Sequence, residues 1–213
     1  DISITDPLIL STIDSRVTAQ TGMEALSHAI EAYLSLAATD MTDIHALHAI
    51  ELISRNLRAS VASQVDEGAK EAMGKASLHA GIAFSNAVLG LAHAMTHQVG
   101  GLLDLPIGEI SAIILPHVMR FNMLASIDKY VRIAATMGAR VEHMTPREAA
   151  EKAIAMVWEL AQDVGIPSGL AELGLPEDVL PELSENAIKD ACCITNPRDA
   201  DVTDIIEIFR SAL

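Results

Sequence analysis

Two segments of the sequence carry metal-ligand side chains four residues apart. Glu24 precedes His28, and His93 precedes His97. On an α-helix, positions i and i+4 lie on one face about one turn apart, so each pair presents two ligand groups to the same side. If the two faces meet, four ligand groups converge in a mostly apolar interior. The spacing therefore predicts a divalent-metal site between two helices.

Several other chemistries do not fit the sequence. The spacing of His93 and His97 resembles half of a zinc-protease signature, but that mechanism needs a glutamate directly after the first histidine as its general base. Ala94 occupies that position. The sequence also has no serine in a G-x-S-x-G elbow, no G-x-G-x-x-G fingerprint and no P-loop. A metallopeptidase, a serine hydrolase and a chain with its own nucleotide-binding loop are all disfavoured.

The remaining histidines favour structural roles when each is taken alone. His45 and His48 stand three residues apart on a helix with Asp43, which is typical of solvated or capping side chains. The other three are isolated in the sequence and are also expected to be structural: His79, His117 and His143. The two cysteines are adjacent, at positions 192 and 193, which makes a disulfide between them geometrically poor, so both are expected to be reduced.

Composition limits the partners and the location of the chain. Half of its 213 residues are hydrophobic and only 3% are aromatic, and the net charge is −15. Binding to a phosphate backbone needs clustered Lys and Arg, so no nucleic-acid partner is expected. No apolar run reaches the roughly 18 residues that span a bilayer. The first six residues carry no basic, signal-like start, so we expect a cytoplasmic protein without a membrane segment.

Apolar spacing is helical nearly throughout and predicts one all-α domain over residues 1–213. A partly extended start is expected at residues 2–10. Thr18 or Thr21 can cap the first long helix, and Thr21 with Glu24 has the form of a capping box. Ser85 and Asn86 are expected to begin the segment that carries His93 and His97, and Gly100 and Gly101 to end it, with a loop over 102–108. Another helix is expected to begin at Asp40 or Thr42 and to run towards residue 61. Further helices are predicted at residues 67–84, 109–121, 126–137, 145–164, 177–190 and 203–212.

These motifs resemble a known family. Residues 21–33 (TGMEALSHAIEAY) look like the first signature of the iron-containing, or group III, alcohol dehydrogenases. Residues 81–87, 90–97 and 115–122 resemble the second signature, and residues 195–198 (TNPR) resemble the closing motif. The resemblance covers the whole chain in order. It implies the helical domain of the dehydroquinate synthase-like type, without the N-terminal α/β domain that binds NAD(P) in the family.

The resemblance also implies roles for individual residues. In the family an aspartate and three histidines hold a divalent metal, usually Fe²⁺ and sometimes Zn²⁺. Glu24 stands at the aspartate position, and His28 and His93 match two of the histidines. Ile107 stands where the third histidine is expected. His97 matches a histidine that lines the substrate pocket, and it is the implied catalytic residue.

Two departures from the family pattern impair the implied metal site. Glu24 keeps the carboxylate but adds a methylene, which moves the oxygen by about a bond length when metal distances tolerate only a few tenths of an ångström. Ile107 removes one ligand outright. The remaining Glu24, His28 and His93 can still form a two-histidine, one-carboxylate site, and His97 can swing in as a fourth ligand.

The resemblance implies the metal- and substrate-binding domain of an oxidoreductase that interconverts alcohols and aldehydes with NAD(P). Without the nucleotide-binding domain there is no hydride acceptor, so the chain alone is expected to be inactive. Two alternatives stay open: a degenerate, metal-free domain that acts in oligomerisation or partner binding, and a helical metal-binding protein without a redox role. Because a missing companion domain exposes an apolar face, a homo-oligomer is expected.

Overall fold

The computed structural model describes residues 5–213, and in that range all regular structure is helical, as predicted. The predicted, partly extended start lies partly outside the described residues, and within them Pro7–Leu10 form a short helix that Asp6 caps. Three single 3₁₀ turns lie at Met123–Ala125, Glu177–Val179 and Ala191–Thr195. The α-helices are α1 (Pro7–Leu10), α2 (Ser15–Leu34), α3 (Asp40–Ala62), α4 (Glu67–Ala87), α5 (Leu91–Leu103), α6 (Ile107–Asn122), α7 (Ile127–Thr136), α8 (Pro146–Asp163), α9 (Leu180–Ala187) and α10 (Val202–Ala212).

Helix α2 lies at the centre and packs against α3, α4 and α6. It begins at Ser15 because the side chain of Asp14 accepts a hydrogen bond from the Val17 amide at 2.9 Å. The predicted caps, Thr18 and Thr21, both lie inside the helix, so that prediction is wrong. The Thr21 hydroxyl instead donates to the carbonyl of Val17, the bond that a threonine inside a helix commonly makes to the preceding turn.

A sharp bend separates α4 from α5. Helix α4 continues to Ala87, so Ser85 and Asn86 end it rather than beginning the next helix, contrary to the prediction. Val88 follows with a φ of 62°, an uncommon conformation for a β-branched residue. The axes of α4 and α5 differ by 104°, which turns the face of α5 that carries His93 towards α2.

Helix α5 does not stop at its two glycines. It runs through Gly100 and Gly101 to Leu103, and Asp104 ends it in the left-handed conformation with a φ of 49°. Asparagine and aspartate tolerate that conformation, so Asp104 does what the glycines were expected to do. The predicted loop at 102–108 shrinks to residues 104–106, and Ile107 becomes the first residue of α6.

Helix α6 crosses α2 at very short range. It runs through Pro116 without a break, and Gly108 in its first turn is the point of contact. A Cβ atom at Gly108 would lie 2.3 Å from the carbonyl oxygen of Gln20 and 3.2 Å from the Cβ of Glu24. Only glycine fits there, and this contact holds the start of α6 beside the turn of α2 that carries Glu24.

Several predicted helices agree closely with the structure. The capping box at Thr145 opens α8, with the Thr145 and Glu148 side chains each bonding the other's backbone amide. Helix α10 begins one residue before its predicted start. The predicted helix at 177–190 is a 3₁₀ turn followed by α9, which ends at Ala187.

No single described helix is long and apolar enough to cross a membrane. Glu67–Ala87 and Leu91–Leu103 meet the length and composition test only when they are taken together, across the 104° bend.

We expect Gly108→Ala to lower the free energy of unfolding by about 1–3 kcal/mol, because the added methyl must push α6 away from the backbone of α2. Urea unfolding followed by circular dichroism measures this. Gly101→Ala is the matched control, since nothing lies within 4 Å of its Cβ position on α5 and alanine favours helix by about 1 kcal/mol. Equal stability of the two variants would contradict the close α2–α6 contact.

Candidate metal and substrate site

Three histidine rings form a row between α2 and α5. The His28 ring stacks on the His93 ring with centroids 4.6 Å apart and planes 14° from parallel. The centroids of His93 and His97 are 6.2 Å apart, with the rings edge to face. Phe84 of α4 stacks on the other side of His28 at 4.4 Å. The faces of α2 and α5 that carry the ligand pairs therefore meet.

Glu31, which is not among the site residues predicted from the sequence, anchors this row of histidine rings. Its carboxylate is 4% exposed and accepts three hydrogen bonds from α5. The backbone amides of Ala92 and His93 donate to it at 2.7 and 3.2 Å, and Nδ1 of His93 donates at 2.5 Å. A signal for Glu31 was present, since positions 24, 28 and 31 follow the i, i+4, i+7 spacing of one helix face.

The Glu31 carboxylate also fixes which nitrogen of His93 is available for a ligand. Because Nδ1 carries the proton shared with the carboxylate, Nε2 has a free lone pair. That Nε2 atom is buried and has no hydrogen-bond partner. Metal-ligating histidines usually donate their other ring nitrogen to a carboxylate in this way. The environment of His93 therefore fits a metal ligand.

The segment at 195–198 holds the start of α5 in place. The Asn196 side chain accepts from the Leu91 amide at 3.2 Å, and the Thr195 hydroxyl donates to the Leu89 carbonyl at 2.6 Å. A Cβ atom at Gly90 would lie 2.9 Å from Glu31 Oε1 and 3.1 Å from Asn196 Oδ1. Glycine is required at position 90 because both side chains come that close to the helix start.

Asp190 orients His97 at the other end of the row. Its Oδ2 accepts from His97 Nδ1 at 2.9 Å, and its Oδ1 accepts from the Cys192 amide at 2.9 Å. Burial acts to raise the pKa of Asp190, but the hydrogen bonds from Cys192 and His97 lower it on balance. The His97 side chain is 40% exposed, and its Nε2 is the nitrogen left for a ligand or substrate.

Within residues 5–213, one set of three ligand-type side chains has all its donor atoms within 4.8 Å of one another. The set is His97, Asp190 and Cys192. Hydrogen bonds among them explain this closeness. Burial, with Asp190 next in effect, raises the pKa of the Cys192 thiol to about 12, so it remains protonated. Glu24, His28 and His93 do not form an equally tight set.

Burial shifts the pKa of both predicted ligands on α2. Burial, reinforced by His93 and His97, lowers the pKa of His28 to about 3, so its imidazole is neutral. Burial raises the pKa of Glu24, and the nearby His93 opposes that shift. Neutral imidazole is the form that binds a metal.

Ile107 contributes no ligand atom to the site. It is the first residue of α6 and is 40% exposed, and the next residue, Gly108, lies against the turn of α2 that carries Glu24. Ile107 stands where the family resemblance implies a third histidine. Its side chain thus lies beside the site but is apolar. The predicted ligands that remain are Glu24, His28 and His93.

We expect Glu31→Gln to lower the free energy of unfolding by about 2 kcal/mol, because charge-assisted bonds to the start of α5 become neutral ones. Urea unfolding measures the change. Glu207→Gln, an exposed glutamate on α10, is the control and should change stability by less than about 0.5 kcal/mol. If both variants unfold at the same urea concentration, Glu31 does not anchor α5.

Known proteins are similar to this chain in fold and in sequence. The family description "Fe-containing alcohol dehydrogenase family, C-terminal" matches residues 18–213. The chain is 47% identical over 211 residues to the 1,3-propanediol dehydrogenase of Klebsiella pneumoniae, covering 99% of this chain and 54% of that protein. It is 42% identical over 212 residues to the NAD-dependent methanol dehydrogenase of Bacillus methanolicus, covering 100% of this chain and 56% of that protein.

A solved structure of 1,3-propanediol oxidoreductase superposes with a TM-score of 0.97 at 47% identity, covering 98% of this chain and 55% of that one. The chain thus spans about half the length of the curated relatives it matches. Its helices correspond to the C-terminal half of those enzymes. Because the family match extends over nearly all of the sequence, this chain belongs to the Fe-containing alcohol dehydrogenase family, whose helical C-terminal domain it contains.

Proposed function

We propose that this chain is the metal- and substrate-binding domain of an oxidoreductase that interconverts small alcohols and aldehydes with NAD(P). The observation that carries the proposal is His93, whose Nδ1 is bonded to the buried Glu31 and whose buried Nε2 has no partner. The relatives named for 1,3-propanediol and methanol support small alcohols as the substrate class.

Glu24, His28 and His93 would hold the divalent metal, Fe²⁺ or Zn²⁺. His28 is kept neutral by burial, and Glu31 holds His93 by one nitrogen so that the other is free. When it is bound, the metal supplies a Lewis acid that polarises the oxygen of an alcohol or aldehyde. The residues of α2 and α5 would position that ion and exclude water from one side of it.

His97 would act on the substrate as the catalytic residue. Asp190 holds its Nδ1, so Nε2 is the atom that can accept a proton from an alcohol or return one to an aldehyde oxygen. His97 lies one turn beyond His93 on α5 and is partly exposed, which leaves room for a substrate beside it. Asp190 acts through His97 as a positioning residue.

The hydride acceptor has to come from elsewhere. We propose that an N-terminal α/β nucleotide-binding domain supplies NAD(P), and that the assembly is a cytoplasmic homo-oligomer. A cleft of about 670 Å³ between α1 and α4 exposes apolar side chains that a second domain or subunit would cover. Those side chains include Ile9, Leu78 and Ile82.

A degenerate domain without a metal is the second candidate. Two observations favour it: Ile107 takes the place of a ligand, and Glu24, His28 and His93 form no set as tight as His97, Asp190 and Cys192. In that case the domain would act by oligomerisation or partner binding. Metal content decides between the two candidates.

We expect the chain, purified with added Fe²⁺ or Zn²⁺, to retain metal that His93→Ala loses, because His93 has the Nε2 atom best placed to bind it. Elemental analysis after gel filtration measures this. Ile107→His should raise the metal affinity about 10-fold or more by restoring a ligand. His143→Ala, at an exposed and isolated histidine, is the control. Equal metal content in the wild type and His93→Ala would favour the degenerate domain.

We expect alcohol-dependent reduction of NAD⁺ when the N-terminal half of the Klebsiella 1,3-propanediol dehydrogenase is joined to this chain, because that half would supply the missing hydride acceptor. Absorbance of the reduced cofactor measures turnover. In the same fusion, His97→Ala should lower kcat about 100-fold or more through loss of the proton-transfer group. A well-folded, metal-loaded fusion without turnover would contradict the oxidoreductase proposal.

A further inference from the structure

Three histidines meet on the surface of α3 and α4. His45 and His48 lie on α3, and His79 lies on α4. The Nδ1 atoms of His45 and His79 are 2.8 Å apart, and the His48 ring meets the His79 ring edge-on with centroids 4.7 Å apart. The sequence suggested no link between His79 and the other two, because 31 or more residues separate them.

The helices beneath this cluster hold the rings in place. Helices α3 and α4 pack closely along their length, and small side chains make the approach possible. The alanines between them are fully or almost fully buried: Ala46, Ala49, Ala76 and Ala80. The close packing fixes the backbone positions from which the rings of His45 and His79 reach each other.

The Nδ1 atoms of His45 and His79 are almost as far apart as two nitrogen ligands bound to one metal ion. Zinc–nitrogen bonds of about 2.0–2.1 Å at tetrahedral angles place two ligand nitrogens about 3.3 Å apart. The His45 and His79 nitrogens, at 2.8 Å, therefore need to separate by only about 0.5 Å to admit an ion. Without a metal, one Nδ1–H group donates a hydrogen bond to the other Nδ1 atom.

His48 can provide the third ligand by turning its side chain. That side chain is 46% exposed, and its nearest acidic neighbour is Glu51, with Nδ1 and Oε2 3.8 Å apart. Exposed side chains change rotamer within nanoseconds, so no large barrier opposes the turn. Glu51 and the net charge of −15 add a field that attracts a cation, and Arg55, 2.9 Å from Oε1 of Glu51, offsets part of it.

We propose that His45, His48 and His79 form a surface binding site for a late transition-metal ion such as Zn²⁺, Ni²⁺ or Cu²⁺. An all-imidazole set suits these ions, whereas Mg²⁺ and Ca²⁺ prefer oxygen ligands. This site is built from α3 and α4 and shares no residue with the site between α2 and α5. It does not depend on the proposed oxidoreductase function.

Calorimetric titration of the 213-residue chain with Zn²⁺ tests the proposal. His79→Gln and His45→Gln should each weaken one zinc-binding event about 10-fold or more, while His143→Gln at an exposed, isolated histidine leaves it unchanged. The same event should persist in His93→Ala, which separates it from any metal bound beside α5. Circular dichroism confirms that each variant keeps its helices.

Nuclear magnetic resonance of the wild-type chain gives a second readout, which does not depend on the folding of any variant. In the wild-type chain, about two equivalents of Zn²⁺, enough to fill both this site and the one proposed beside α5, should shift the ¹⁵N-imidazole resonances of His45 and His79 together and leave those of His143 in place. Zinc binding that is equally tight in the wild type, His45→Gln and His79→Gln would overturn the proposal. Unchanged His45 and His79 resonances would overturn it as well.

Discussion

The carboxylate of Glu31, buried between α2 and α5, is the interaction on which the arrangement of the site depends. A buried carboxylate is costly unless hydrogen bonds and charge compensate it. Here the first amides of α5 and Nδ1 of His93 provide that compensation, and the positive end of the helix dipole adds to it. One side chain therefore caps α5, joins it to α2 and sets the tautomer of His93.

Other features of the fold serve this contact. The bend at Val88 brings α5 towards α2, and Gly90 leaves room for Glu31 and Asn196 at the start of the helix. Gly108 brings α6 just as close to α2 on the side of Glu24. Asp190 repeats at His97 what Glu31 does at His93, so two carboxylates orient two histidines one turn apart.

The sequence predicted the all-α class and the placing of each ligand pair on one helix face, because both follow from spacing along single helices. That the two faces meet is seen only in the structure. The sequence did not predict contacts set by packing between helices. Asp14, and not Thr21, begins α2. Helix α5 passes through two glycines, with its start held by Glu31 and Asn196 and its end at Asp104. The approach of His79 to His45 depends on how α3 packs against α4, which no local pattern encodes.

We propose that His28 and His93 hold a metal although Ile107 stands where the family resemblance implies a third histidine. Glu31 orients His93, and burial keeps His28 neutral, so two of the proposed ligands are ready to bind an ion. Anomalous diffraction at the zinc edge from crystals of the zinc-loaded chain tests this directly. We expect a peak about 2.0–2.1 Å from Nε2 of His93 and beside His28. Crystals with zinc bound elsewhere and no peak at His93 would contradict the account.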